Sequence, residues 1–189
     1  YESSSRADRE ELYRWIEYYK IKFKSRVYTP LNNSEKYTLV LMGRADFGLL
    51  GSYNKYKQTP FETFHVGGDG MTGSYTYATE TIGLRGYDNG ALTPYSDGRA
   101  YTRFSMELHF PFLLQPSSTI YGLAFVEGGN AWTSLENFNP FSLKRSAGVG
   151  VRIFLPMIGL MGIDWAYGFD KVQGEKGGGH FHFILGQEF

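Results

Sequence analysis

The sequence of 189 residues contains no cysteine, which excludes disulfide frameworks, thiolate metal sites and cysteine nucleophiles. It has no excess of charge either, because 19 Lys and Arg balance 19 Asp and Glu, so the composition does not favour a nucleic-acid partner. No apolar run reaches the roughly 18 residues that a membrane-spanning helix needs. Since the chain starts at Tyr1 without an initiator Met or a signal peptide, we expect it to be a segment of a longer product.

The sequence is instead rich in glycine and aromatic residues, with 24 Gly, 15 Tyr, 15 Phe and 3 Trp. Hydropathy alternates with a period of two residues along most of the chain, which is typical of β-strands with one apolar face. This alternation predicts an all-β protein with about seven strands. The alternating segments are residues 19–27, 37–49, 100–110, 119–132, 147–155, 161–169 and 181–189.

Two architectures fit such strands, a soluble sandwich and a membrane β-barrel. Several predicted strands have ten or more residues, whereas strands of globular proteins most often have about five or six. Short turns alternate with longer loops, the longest at about residues 53–98, as in outer-membrane barrels. We therefore predict an antiparallel transmembrane β-barrel and keep the sandwich as the alternative. Because closed bacterial barrels have an even number of strands from eight upward, seven strands indicate part of a larger barrel.

Four short blocks follow one another along the chain. They are Leu84-Arg85-Gly86-Tyr87 in the longest loop and residues 125–132, 146–152 and 183–189. Together they resemble the carboxyl-terminal half of the BamA-like outer-membrane protein assembly barrels, over essentially the whole chain, and the Gly-rich and Tyr-rich character is most similar to the Bacteroidetes versions. The resemblance implies that residues 1–189 supply about seven carboxyl-terminal strands of a sixteen-stranded barrel in the outer membrane of a Gram-negative bacterium, without POTRA domains.

The resemblance also implies a function. Such barrels fold and insert other β-barrel proteins into the outer membrane, without enzymatic chemistry, cofactor or metal. The implied partners are unfolded outer-membrane protein clients, outer-membrane lipids and lipopolysaccharide, and accessory lipoproteins of an assembly complex, with no nucleic acid. A two-partner-type secretion pore of the same superfamily shares the loop motif, and a passive porin-like channel is an alternative of another class.

The resemblance assigns Arg85 to a loop that folds back into the barrel lumen and pairs with acidic residues on the wall, here Glu127 and Glu107. A guanidinium offers a planar fork that matches carboxylates. Gly86 suits a tight turn with close backbone approach. If Glu127 faces the lumen, strict alternation turns Phe125 inward too, unless a bulge near residues 128–129 shifts the phase, and both arrangements stay open.

The last predicted strand ends on an aromatic residue. Phe181, Phe183, Leu185 and Phe189 share one face, which resembles the signal by which outer-membrane barrels are recognised for insertion. In the family this strand meets the first strand at a seam that can open, and Gly186 would loosen it. His180 and His182 lie on the other face, and we expect lumen-facing or interfacial histidines there, since no thiol or evident carboxylate accompanies them.

Overall fold

The computed structural model describes residues 17–34, 37–53, 59, 62–71, 79–95, 97–115, 117–172 and 177–186. Its strands are β1 Tyr18–Pro30, β2 Val40–Ser52, β3 Thr63–Val66, β4 Thr79–Ile82, β5 Ala100–Gln115, β6 Ser118–Trp132, β7 Lys144–Leu155, β8 Gly159–Gly168 and β9 Gly179–Leu185. A 3-10 turn at Leu135–Asn137 lies between β6 and β7. Within these ranges, no helix has the length and apolar character needed to cross a membrane.

Seven of the strands form one antiparallel sheet in the order β1-β2-β5-β6-β7-β8-β9. The prediction of an all-β chain with about seven antiparallel strands is confirmed. Strands β3 and β4 pair in parallel as a separate small sheet inside the long loop between β2 and β5. Among the described residues β1 and β9 each have one neighbour, so the sheet is open at both edges.

The register settles the phase of β6. Strand β6 pairs with β5 and with β7 without interruption through Glu127 and Gly129, so no bulge shifts the alternation there. The irregularity between β5 and β6 lies instead between Pro111 and Leu113. Glu127 therefore shares its face with Phe125 and Leu123, all three of which are buried.

The two faces of the sheet differ in polarity. We call the face against which the long loop packs the inner face, and the opposite one the outer face. The inner face buries charged side chains, of which Asp46, Arg152 and Asp164 are at most 1% exposed. The outer face exposes large apolar side chains, among them Ile21, Phe23, Met106, Val126, Val149, Ile163, Trp165, Phe181 and Phe183. A soluble sandwich would bury that apolar face, so this arrangement fits a barrel wall facing lipid.

A small apolar core fixes the beginning of the long loop on the sheet. Phe64, Val66 and Ile82 from the loop pack with Leu50 of β2 and Tyr101 of β5. The Phe64 and Tyr101 rings meet edge to face, with centroids 4.7 Å apart. Buried aromatic and aliphatic area of this kind stabilises the contact without directional bonds. The loop is thus held on the inner face before the chain reaches residues 84–87.

Candidate functional site

The Leu84–Tyr87 motif follows β4 closely within the long loop and packs against the inner face of the sheet. Leu84 is fully buried and exchanges two backbone hydrogen bonds with Gly68, with N···O distances of 3.0 and 3.1 Å. The chain then turns at Gly86, whose φ of 88° favours glycine. A Cβ atom at Gly86 would lie 2.7 Å from Cβ of Ser146 on β7. The tip of the motif therefore lies too close to the wall for a side chain.

Arg85 is the centre of the site. Its Nε donates to Oε1 of Glu127 at 3.0 Å, and its backbone N–H donates to Oε2 of the same carboxylate at 2.9 Å. Nη1 donates to Oδ2 of Asp164 at 3.0 Å, and Nη2 bonds to Glu107 and Glu127. The guanidinium carbon also lies 3.5 Å from the centroid of the Phe125 ring. One side chain thus contacts carboxylates of β5, β6 and β8.

A second arginine completes the network. Arg152 of β7 binds Asp164 with both terminal nitrogens, at 2.5 and 2.8 Å. We call Arg85, Arg152, Glu107, Glu127 and Asp164 the Arg85 cluster. Two arginines against three carboxylates give it a formal charge of −1, and each member is at most 8% exposed. Such bidentate, charge-assisted bonds are among the stronger polar contacts in proteins, and they compensate buried charge.

The charge of Arg85 is secured by its surroundings. Burial alone would lower the pKa of Arg85, but the carboxylates of Glu127 and Glu107 outweigh burial and raise the pKa above its ordinary value. The guanidinium therefore stays positive throughout the range in which proteins fold. Its role here is electrostatic and geometric, because a cation that does not release its proton cannot act as a general acid.

Glycines on the neighbouring strands make room for the cluster. A Cβ atom at Gly148 of β7 would lie 2.6 Å from Cζ of Phe125, and one at Gly150 would collide with the Asp164 carboxylate. On β8, a Cβ atom at Gly162 would lie 2.6 Å from Cδ of Arg152. The inner-face glycines therefore provide the space that long side chains and the loop occupy.

The rest of the motif contacts the remaining strands. The Gly86 N–H donates to Nε2 of His182 on β9 at 2.9 Å, and the Tyr87 hydroxyl donates to the Arg145 carbonyl oxygen of β7 at 2.6 Å. Burial raises the pKa of the Tyr87 phenol, so the hydroxyl keeps the proton that it donates. Residues 85–87 thus bind side chains or backbone on all strands from β5 to β9.

Comparison with known proteins agrees with this geometry. Residues 7–189 match the Omp85 superfamily domain. The chain belongs to the Omp85 superfamily. It is similar to the crystal structure of BamA from Haemophilus ducreyi lacking POTRA domains 1–3, with a TM-score of 0.60 and 20% sequence identity over 89% of this chain and 35% of that one. At this identity the likeness shows the fold, a piece of a BamA-like barrel. The chain spans about a third of the length of that relative.

Omp85 proteins are Gram-negative outer-membrane proteins, which places this chain in that membrane. The prediction of a BamA-like barrel is confirmed, whereas the Bacteroidetes-like character stays a prediction. Within the described ranges, no group of three or more His, Asp or Glu side chains is arranged to hold a metal ion.

The structure brings six of the residues named from the sequence together, namely Leu84, Arg85, Gly86, Tyr87, Glu107 and Glu127. Sequence reasoning missed Asp164, Arg152 and His182 as partners of this Omp85 loop. The period-two alternation does place all three on the polar faces of their strands. Nothing in that alternation shows which of the polar side chains lie beneath the motif.

The residues named on the terminal strand lie apart from the cluster. Phe181, Phe183 and Leu185 point outward and are 61–68% exposed. Gly186 follows β9 with a φ of 102° and donates its N–H to the Leu160 carbonyl oxygen at 2.9 Å. Phe189 lies outside the described residues.

A second set of ion pairs joins the loop to β1. Glu80 of β4 lies 3.1 Å from Nζ of Lys20, 3.1 Å from that of Lys22 and 3.8 Å from that of Lys24, and Lys20 also lies 2.7 Å from Glu62. We call these five residues the lysine row. Burial tends to raise the pKa of the Glu80 carboxyl, but Lys22 and Lys20 outweigh burial and lower it. The three lysines on the inner face of β1 therefore pair with carboxylates of the loop.

Proposed function

We propose that this Omp85 chain forms part of the barrel of an insertase that folds β-barrel proteins and inserts them into the outer membrane. The observation that supports it most is the contact of Arg85 with carboxylates on three strands. A loop bound in this way braces the wall from inside, and the wall can then keep its shape while one of its edges is in use.

The proposed mechanism needs no covalent chemistry. Strand β9 pairs only with β8 among the described residues, so its other side can offer a row of backbone donors and acceptors to a new partner. Unpaired backbone groups are costly in hydrocarbon, which favours pairing with an incoming strand. An unfolded client strand that adds to such an edge gains main-chain hydrogen bonds, in the manner of β-augmentation.

Each named residue then has a role within the proposal. Leu84 anchors the motif through its burial, Arg85 binds the carboxylates, Gly86 allows close approach, and Tyr87 bonds to β7. The outward side chains of the terminal strand, with Phe189 beyond them, would act as the signal for insertion of the barrel itself. They are Phe181, Phe183 and Leu185.

The partners follow from the same proposal. Unfolded outer-membrane proteins would bind at a strand edge, and outer-membrane lipids and lipopolysaccharide would cover the exposed apolar face. Accessory lipoproteins of an assembly complex would bind elsewhere on the full-length protein. The proposal requires no cofactor.

The test is complementation of a strain in which the full-length protein can be depleted. We expect Arg85→Ala to lower the amount of correctly folded client barrels in the outer membrane, because its loop is no longer bound to Glu107, Glu127 and Asp164. Lys22→Ala, in the half-exposed lysine row, is the matched control and should complement fully.

Normal client assembly by an Arg85→Ala protein that is itself folded and present at wild-type levels would refute the proposal. If client barrels were normal while one exported protein disappeared from the medium, a secretion pore would replace the insertase. If only the permeation of small solutes changed, a porin-like channel would replace it.

A further inference from the structure

The terminal strand is bound by the long loop as well as by its neighbour in the sheet. Strand β9 pairs with β8 from Met161↔Leu185 to Tyr167↔Gly179. From the loop, Gly86 donates to His182 at 2.9 Å, and Asp88 lies 3.1 Å from Nδ1 of His180. The Leu185 N–H also points at Sδ of Met71, 3.2 Å away. Two of these three contacts are made by histidines on the inner face of β9.

The contact at His182 defines the state of its ring. The Gly86 N–H is a donor only, so Nε2 of His182 accepts and carries no proton. The ring is therefore neutral in this arrangement, with its proton on Nδ1. Protonation would turn Nε2 into a donor facing another donor, and the contact could not persist. His182 is 5% exposed, so water cannot readily replace the lost acceptor.

Charged groups surround this ring from several elements. Asp164 of β8 is its register partner, and the carboxylates of Glu127 on β6 and Asp69 in the loop also act on the ring electrostatically. His180 on the same strand stacks with the ring, with centroids 6.2 Å apart. Arg85, bound to Asp164 and Glu127, offsets much of the charge of those two carboxylates.

We propose that His182 is a positioning residue that holds the tip of the Leu84–Tyr87 motif on the terminal strand while its ring is neutral, and that protonation of the ring releases the tip from β9. The inference rests on the proposed function, since bracing of a strand edge matters only if the edge is used. Release at His182 leaves the Arg85 contacts with β5, β6 and β8 in place.

Hydrogen exchange of the Gly86 amide tests this directly in the full-length protein in lipid nanodiscs, with rates corrected for the intrinsic effect of pH. We expect the protection of Gly86 to fall about tenfold or more between about pH 8 and about pH 5 in the wild type. His182→Gln keeps an acceptor oxygen but does not titrate, so its Gly86 protection should stay near the wild-type value at both pH values.

Two further variants complete the test. His182→Phe, which has no acceptor, should expose Gly86 equally at both pH values. His180→Gln removes the other histidine of the strand and should leave the pH dependence of Gly86 intact. If His182→Phe does not fold, the pH dependence of Gly86 protection in the wild type, compared with that in His182→Gln, still shows whether His182 controls the contact.

Equal loss of protection on acidification in the wild type and in His182→Gln would overturn the inference, and so would a pH-independent Gly86 in the wild type. This readout does not depend on client insertion. If exchange behaves as expected while Arg85→Ala supports normal client assembly, the insertase proposal is wrong and the role of His182 stands.

Discussion

The Arg85 cluster and the lysine row both join the long loop to the sheet, and they differ in burial and in chemistry. The Arg85 cluster uses guanidinium groups, and all of its side chains are at most 9% exposed. The lysine row uses ammonium groups that are 21–44% exposed, against carboxylates that are 23–24% exposed. Both sets bind the same loop to the same face of the sheet.

The difference shows which of the two sets of ion pairs holds the loop more firmly. Exposed ion pairs contribute about 0.2–1 kcal/mol each, because water competes for both partners. Removing one partner of a buried pair costs about 3–5 kcal/mol, since the other charge stays buried without compensation. Of the two sets, the Arg85 cluster therefore contributes most to holding the loop, over β5 to β8, whereas the ion pairs with β1 contribute little.

Arg85→Ala is expected to have the largest effect. It leaves Glu107, Glu127 and Asp164 short of their shared cation, so the free energy of unfolding should fall by about 3–5 kcal/mol. The measurement is urea unfolding of the full-length barrel in detergent, followed on gels that separate folded from unfolded protein. Arg85→Lys keeps the charge but loses the planar fork, so its free energy of unfolding should lie between those of the wild type and Arg85→Ala. A loss below about 1 kcal/mol would make this cluster no different from an exposed pair.

Gly86→Ala should have the next largest effect. The added Cβ atom would lie 2.7 Å from Cβ of Ser146, and alanine disfavours the φ of 88°. Crowding and strain together should lower the free energy of unfolding by about 2–3 kcal/mol. Gly43→Ala on β2 is the control, since nothing lies within 4 Å of a Cβ atom there. Similar midpoints for the two variants would contradict close packing of the motif on β7.

Tyr87→Phe removes a single hydrogen bond, from the phenol to the Arg145 carbonyl oxygen at 2.6 Å. Its loss should cost about 1 kcal/mol, measured in the same urea series. Tyr95→Phe, in a ring that is 86% exposed, is the matched control and should leave the midpoint unchanged. Equal effects of the two substitutions would show that the Tyr87 bond does not stabilise the loop.

Glu80→Gln in the lysine row should have the smallest effect, at most about 1 kcal/mol at neutral pH. The lysines lower the pKa of the folded Glu80 carboxyl, so its stabilising effect is present above the ordinary glutamate pKa. That effect is lost as the pH falls through the lowered folded value. The difference in unfolding midpoint between wild type and Glu80→Gln should shrink accordingly. A difference that grows on acidification would contradict this sign.

The strands and their two faces could be predicted from the sequence, because a period of two residues is visible in the sequence itself. Arg85, Glu107 and Glu127 could be named because the surrounding blocks resemble a known family. Asp164 and His182 could not be chosen, although their faces were known, since their contacts depend on the path of the loop across the sheet. The pairing of β3 with β4 escaped prediction because each strand has four residues, too few to show a period.

The most direct test of the account is a pair of double-mutant cycles for the two sets of ion pairs. One combines Arg85→Met with Glu127→Gln, and the other combines Lys22→Met with Glu80→Gln, each read as the free energy of unfolding in urea. We expect a coupling of about 2 kcal/mol or more for Arg85 with Glu127, and below about 0.5 kcal/mol for Lys22 with Glu80. Equal couplings, or a larger one for the lysine pair, would contradict the claim that Arg85 fixes the loop on the barrel wall.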